Sequence, residues 1–205
     1  MTESEKRSYQ SATRQRQADE TRQRIMDAAR KLFLENGYAA TTIDSIASEA
    51  GVAAQTVYAA FRSKQGILTG IIVRARFGAD YEEIVKEVRT ATDPRKLLQL
   101  TAKIARQIYD SERAEYQLLR AVPEIAEQER QLECRRFEAL KPNIKMLENS
   151  GRLNKKLKKN KAHDILWTLT GRDIFHMLVI ERDWQSNKYE KWLAETLISC
   201  LLETE

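Results

Sequence analysis

The sequence predicts an all-α protein with an N-terminal three-helix helix-turn-helix domain and a larger helical domain behind it. Three observations lead there. Only three prolines and seven glycines interrupt 205 residues, which leaves long helices unbroken. Apolar residues recur at i, i+3, i+4 and i+7 through much of the chain. Residues 21–68 break at Asn36-Gly37, Gly51 and Ser63 into short helices, one of which has few inward anchors.

Residues 1–18 are rich in Ser, Gln, Glu and Arg and lack an apolar face, so they read as a flexible basic arm. Two readings of it stand side by side. It is a solvated tail, or its Arg14 and Arg16, with Arg22 just inside the first helix, reach a DNA minor groove whose potential attracts arginine. Residues 19–66 form the DNA-binding domain. Ile25, Ala28, Ala29, Leu32 and Phe33 make one helical stripe, closed by Asn36-Gly37. Thr42 caps a second helix with Ile43, Ile46, Ala47 and Ala50 inward, and Gly51 ends it, with Val52 as a buried plug. From Ala53 to Phe61 only Val57 and Phe61 point inward. Ala54, Gln55, Thr56, Tyr58 and Ala59 remain for a partner, as a recognition helix requires. Ser63 caps a fourth helix whose N-terminal Lys64 suits a phosphate.

Residues 67–205 supply the second domain. The fourth helix continues through Ile67, Leu68, Ile71 and Ile72, weakened at Gly70 and Gly78. Asp93-Pro94 starts a helix with Leu97, Leu98, Ile104, Ala105, Ile108 and Tyr109 inward, followed by Tyr116, Leu118, Leu119 and Val122 up to Pro123. A charged helix spans about 124–148 with Pro142 as a kink point. The basic run 152–161 reads as a solvated connection. One helix then holds Ile165, Leu166, Leu169, Phe175, Leu178 and Val179, and a last one repeats Tyr189, Trp192, Leu193, Thr196, Leu197, Cys200 and Leu201.

Several chemistries find no support. Cys134 and Cys200 are far apart and read as buried thiols, and His163 and His176, placed on one helix, are too far apart to share a metal. No nucleophile, phosphate loop or paired acid site is visible, so neither enzyme activity, metal nor cofactor is expected. No segment resembles a signal peptide or has the length to span a bilayer, which predicts a cytoplasmic chain without membrane contact. The formal net charge of +5 agrees with a polyanionic partner, although much of the excess lies outside the head.

Residue order adds a resemblance. Ala28-Ala29, Gly37-Tyr38, Thr41-Thr42, Ile46-Ala47, Ala50-Gly51-Val52, Thr56-Val57-Tyr58, Phe61 and Ser63-Lys64 follow, at fixed spacing, the pattern of the DNA-binding domain of TetR-type transcriptional regulators. The resemblance covers about a quarter of the chain strongly. It implies that Thr42, Tyr58 and Lys64 position the protein on phosphates. Gln55 would pair with an adenine edge, and Thr56 or Ala54 with thymine methyls, helped by part of Tyr58. Ala53 stands where the family favours serine, so a helix cap is lost. Gln55 replaces a frequent glycine or proline, and Ala60 a frequent ring.

The resemblance also implies that the last two helices dimerise, with Leu166, Leu169, Leu178, Val179, Leu193, Leu197 and Leu201 at the interface. It implies a small-molecule pocket, for which Tyr109, Tyr116, Phe137, Trp167, Phe175, His176 and Met177 are candidates, with core packing as the alternative for each. The expected function is a repressor that binds a palindromic double-stranded DNA operator as a homodimer and is released by an unidentified small-molecule effector. An activator, a ligand-independent regulator, a helical ligand carrier or enzyme with a vestigial head, and an interaction bundle remain as alternatives.

Overall fold

The computed structural model describes residues 3–77, 79–113 and 126–203 of the chain. Its helices are α1 (Glu3–Asn36), α2 (Ile43–Ala50), α3 (Ala54–Phe61), α4 (Lys64–Arg76), α5 (Ala79–Thr90), α6 (Pro94–Ser111), α7 (Ala126–Asn149), α8 (Lys159–Leu169), α9 (Arg172–Phe175, continued by π-helical turns His176–Glu181) and α10 (Ser186–Leu201). Among the described residues the only β pairing is an isolated antiparallel bridge between Leu153 and Leu202. The described residues fall into two compact units, one within Met1–Arg74 and the other within Ala75–Ala114 and Ala126–Glu205.

The first unit has its own core. Ile25, Ala29 and Phe33 of α1 meet Ile46 and Ala47 of α2, Val57 and Phe61 of α3, and Ile67, Leu68, Ile71 and Ile72 of α4, all buried. Each large apolar side chain removed from water contributes about 1.5–3 kcal/mol. These α4 residues move the seam between units from the expected residue 66 to Arg74, because α4 is needed to close the head. The turn from α3 to α4 is tight enough that a Cβ at Gly66 would run into the Phe61 carbonyl oxygen.

The N-terminal arm is a correction. Residues 3–20 are not an irregular tail but the first turns of α1. No apolar face drives them. Once residues 25–33 are buried, each further turn avoids the cost of nucleation, and local pairs such as Gln15 with Asp19 and Arg16 with Glu20 support it.

In the second unit α10 lies along α6, with α5 also against α6 and α8 against α7. Asp93 caps α6 through the amides of Arg95 and Lys96, and Pro94 occupies its first turn as expected. Leu97, Leu98, Ala102 and Ala105 pack in one cluster with Leu166, Val179, Leu193, Leu197 and Leu201. Five of the seven residues assigned to a dimer interface, Leu166, Val179, Leu193, Leu197 and Leu201, are therefore fully buried within one subunit. A side chain without exposed surface cannot meet a second subunit. Leu169 and Leu178 are half-buried beside the same cluster.

Two smaller expectations also change. His163 and His176 do not share a helix, because α8 ends at Leu169 and Thr170 turns its hydroxyl back onto the Leu166 carbonyl at 2.7 Å. Cys134 is exposed on α7 and only Cys200 is partly covered. α7 continues helically through Pro142, which supplies no amide hydrogen to the preceding turn. The basic run is a connection only over residues 152–158, where the Asn154 amide donates to the Leu201 carbonyl at 2.9 Å; Lys159 to Lys161 form the first turn of α8, and the lysines from 155 to 161 stay exposed. Tyr116 and the segment through Pro123 lie outside the described residues.

Candidate nucleic-acid interface

The head presents two helix N-termini and one helix face. Thr42 caps α2: its hydroxyl accepts the Ser45 amide at 3.1 Å, and the Ser45 hydroxyl accepts the Thr42 amide at 3.1 Å. This reciprocal box leaves the Thr42 side chain exposed at a helix end whose partial positive charge attracts a phosphate. Gly51 then takes φ 64° and turns the chain into α3. Ala53 stands at the start of α3 with no side-chain cap, so only its backbone carbonyl receives the Thr56 and Val57 amides.

On α3, Val57 and Phe61 are buried, while Gln55, Thr56, Tyr58 and Ala59 are exposed, Tyr58 to 53%. Residues 55, 58 and 59 share a side of the helix by i, i+3, i+4 spacing. Ala54 differs from expectation: it is half-buried against the head core, because the α3 entry packs inward. Among the described residues, no hydrogen bond involves the side chains of Gln55 or Thr56, which are free to meet a partner.

Two cations expected at DNA are engaged by groups of the head itself, Lys64 half-buried and Arg22 exposed. The Lys64 ammonium donates to the carbonyls of Tyr38 at 2.6 Å, Thr41 at 2.8 Å and Ala39 at 3.3 Å, and lies 4.4 Å from the Tyr38 ring centroid. It closes the α1–α2 turn instead of projecting freely. Arg22 donates to the Ala60 carbonyl and stacks over the Phe61 ring at 4.2 Å, fixing α1 to the end of α3. Arg14 and Arg16 are exposed on α1, Arg16 within 3.7 Å of Glu20. Sequence reading missed Ser45 and Tyr38 as partners of Thr42 and Lys64. The S/T-x-x-S spacing at 42–45 was a visible signal for the first, and nothing local signals the second.

The second unit contains a cavity of about 610 Å³. Its walls come from α5, α6 and α7, with Tyr81, Val88, Ile104, Ile108, Leu132 and Met146 supplying apolar surface. Burial raises the Tyr81 phenol above its ordinary range, against the opposing charge of Arg89. Tyr109 also lines it, donates its hydroxyl to the Thr170 carbonyl at 2.9 Å, and is pushed up by burial. Beside it lies a buried network. Arg76 meets Glu112 and Glu129, and Arg172 meets the same two carboxylates. Burial raises the Glu129 carboxyl, with Arg76 pulling it back down.

Residues 25–71 match the family model described as bacterial regulatory proteins, tetR family. These residues are similar to a TetR-type DNA-binding domain. The TetR-type segment is also similar to the transcriptional repressor BepR of Brucella suis, 40% identical over 81 residues, which is 40% of this chain and 38% of that protein. The curated relatives are matched over less than half of their length, 28% and 26% for the first two. Over the whole fold, NalD, the secondary repressor of the MexAB-OprM multidrug efflux pump in Pseudomonas aeruginosa, aligns with TM-score 0.71 at 20% identity, covering 92% of this chain and all of that one. SmeT in a complex with triclosan aligns with TM-score 0.71 at 16% identity, covering 89% and 92%. At these identities the likeness is one of fold: a TetR-type head followed by a helical second domain.

Of the expected pocket residues that are described, Tyr109, Phe137, Trp167, Phe175, His176 and Met177, only Tyr109 lines this cavity. Phe137 and Trp167 pack edge-on at 5.9 Å, and Phe137 lies 4.0 Å from the His163 ring. Phe175 is buried between Tyr109 and Tyr189, at 5.6 and 5.1 Å. His176 stands 3.4 Å from Glu181, and Met177 is 45% exposed. Phe137, Trp167 and Phe175 stack on other rings and do not line the cavity, whose aromatic wall comes from Phe77, Tyr81 and Tyr109.

Proposed function

We propose that this chain is a TetR-type repressor that holds a partly palindromic DNA operator as a homodimer and releases it when a small molecule fills the second-unit cavity. The observation that carries the reading is the exposed face of α3. Gln55, Thr56 and Tyr58 stand out from a helix whose other face is sealed by Val57 and Phe61, next to the capped end of α2 at Thr42. That is a reading helix beside a phosphate seat.

Gln55 pairs bidentately with adenine N6 and N7, Thr56 adds a methyl contact, and Tyr58 and Thr42 anchor the backbone. A single head covers one half-site, so a second copy supplies the other. The half-buried Leu169 and Leu178 with the exposed Met177 provide apolar surface on α8 and α9 for that pairing. The cavity volume of about 610 Å³ suits a drug-sized ligand, and the triclosan complex of SmeT supports a small-molecule effector. A ligand that prefers the released conformation by about 1–3 kcal/mol weakens DNA binding roughly 5–150-fold.

Selection of random-sequence DNA by the full chain tests the proposal. An inverted repeat with half-sites about one helical turn apart, or slightly more, is expected. Gln55→Ala should cost about 1–3 kcal/mol per half-site and relax one symmetric position, without changing the salt dependence. Recovery of sequences with no common repeat would overturn the reading.

A further inference from the structure

We infer that the cavity takes an amphipathic anion, with its charge at Arg89 and Arg135 and its apolar body between α5, α6 and α7. The inference rests on the reading of this cavity as the effector site and names the class of molecule that fills it.

Charge accounting along the wall leads to it. Four arginines, Arg76, Arg89, Arg135 and Arg136, and one acid, Glu133, line the cavity. Arg76 is already matched. With Arg172 it shares Glu112 and Glu129, two cations against two carboxylates. Arg136 is matched as well: it donates to Glu133 at 2.7 and 3.0 Å, to the Trp167 carbonyl at 2.9 Å and to the Thr170 hydroxyl at 2.9 Å. Arg89 and Arg135 have no ion pair among the described residues. Both are exposed while lining the cavity, so they sit where it opens to solvent. Once the internal pairs cancel, the wall carries two unmatched positive charges and no unmatched negative one.

Elsewhere the lining is dominated by apolar carbon from Val85, Val88, Ile104, Ile108, Leu132 and Met146. A cationic ligand finds no free carboxylate there. A neutral one leaves both arginines without a partner. A monoanion with an apolar chain or ring system places each part against its complement: carbon on carbon, and a carboxylate or equivalent oxyanion against planar guanidinium donors.

Calorimetric titration of the full chain with three probes of equal chain length, decanoate, decanol and decyltrimethylammonium, each below its micelle threshold, tests this. Decanoate should bind about tenfold more tightly than decanol, in line with two partly solvated charge-assisted contacts, and decyltrimethylammonium more weakly than either. The R89Q/R135Q variant, altered only at exposed positions, should bind decanoate no better than decanol while its decanol affinity stays unchanged. Leu132→Trp, which fills the cavity, should weaken both probes and so place them inside it. Equal affinity for decanoate and decanol, preference for the cation, failure of all three to bind, or an unchanged decanoate preference in R89Q/R135Q would overturn the inference. The repressor reading is scored separately by gel shift on the selected DNA. Decanoate that binds without releasing DNA sinks effector release and leaves the anion site standing, whereas release by a neutral ligand with no binding of decanoate does the reverse.

Discussion

Lys64 shows how far a single charge can be redirected by its surroundings. As a helix N-terminal lysine it suits a phosphate, yet its ammonium is enclosed by the carbonyls of Tyr38, Ala39 and Thr41. Those oxygens belong to the turn that leads from α1 into the Thr42 cap, so Lys64 sets the direction in which α2 offers its amides. Lys64→Ala should lower the stability of the head by about 1.5–3 kcal/mol, the scale of hydrogen bonds to a charged group, as read by urea unfolding. Its slope of log affinity against log salt should stay near that of the unaltered protein. Flattening by roughly 1.8 in a dimer, about 0.9 per phosphate, would instead make Lys64 a direct phosphate contact. Tyr189 presents a different single-residue problem. It is fully buried and its hydroxyl has no hydrogen-bond partner among the described residues. Tyr189→Phe removes an unsatisfied polar atom and should stabilise the protein by about 1 kcal/mol at neutral pH. Burial also raises this phenol above its ordinary range. The folded form therefore keeps its proton while the unfolded form loses it near pH ~10, and stability falls as pH rises through that range. The advantage of Tyr189→Phe in urea melts should widen from about pH 8 to about pH 10.5. A destabilised variant would mean that the hydroxyl is satisfied.

Among whole elements, α10 separates what periodicity fixes from what it leaves open. Its stripe Tyr189, Leu193, Leu197 and Leu201 was legible as one apolar face, and all four side chains are buried. Spacing cannot say whether that face meets a neighbour in the same chain or in a second one. Here α6 covers it. Leu197→Glu should therefore abolish cooperative melting, because it places an unpaired charge in the core at a cost of several kcal/mol, and should not yield a folded monomer in sedimentation. Met177→Glu, at a residue 45% exposed on the π-helical part of α9, should keep its melting temperature and favour monomers. If the unaltered protein sediments as a dimer and Met177→Glu does the same, the proposed contact lies elsewhere. The head was far more legible, since its boundaries rest on local chemistry: Gly37 and Gly51 take positive φ, Thr42 and Ser63 receive backbone amides, and Val57 and Phe61 are the only fully buried anchors of α3. The cavity was not legible. Residue type pointed to aromatics, but Phe137, Trp167 and Phe175 are occupied by ring partners, and which walls enclose empty space depends on packing between helices distant in sequence. The arm illustrates a third limit: a polar segment without an apolar face carries no sign that a helix already anchored next to it will continue through it.

At the scale of the molecule, the described residues form two compact units with separate cores, and under the proposed function, in which one unit binds DNA and the other a ligand, linkage constrains how they communicate, whatever path the coupling takes. If an effector weakens operator binding by a factor between about 5 and 150, the operator must weaken effector binding by the same factor. Decanoate titrated into the free protein and into the protein saturated with its selected operator should give dissociation constants that differ by that factor. The direction is fixed: the DNA-bound form binds decanoate less tightly. A matching gel-shift series, with decanoate varied at constant DNA, supplies the reciprocal number independently. Agreement of the two factors makes the cavity a thermodynamic partner of the α3 face. A decanoate affinity indifferent to DNA, alongside a real loss of DNA in the gel, would point to release by another route, such as detergent-like unfolding, which a shift of the melting temperature to lower values in decanoate would identify.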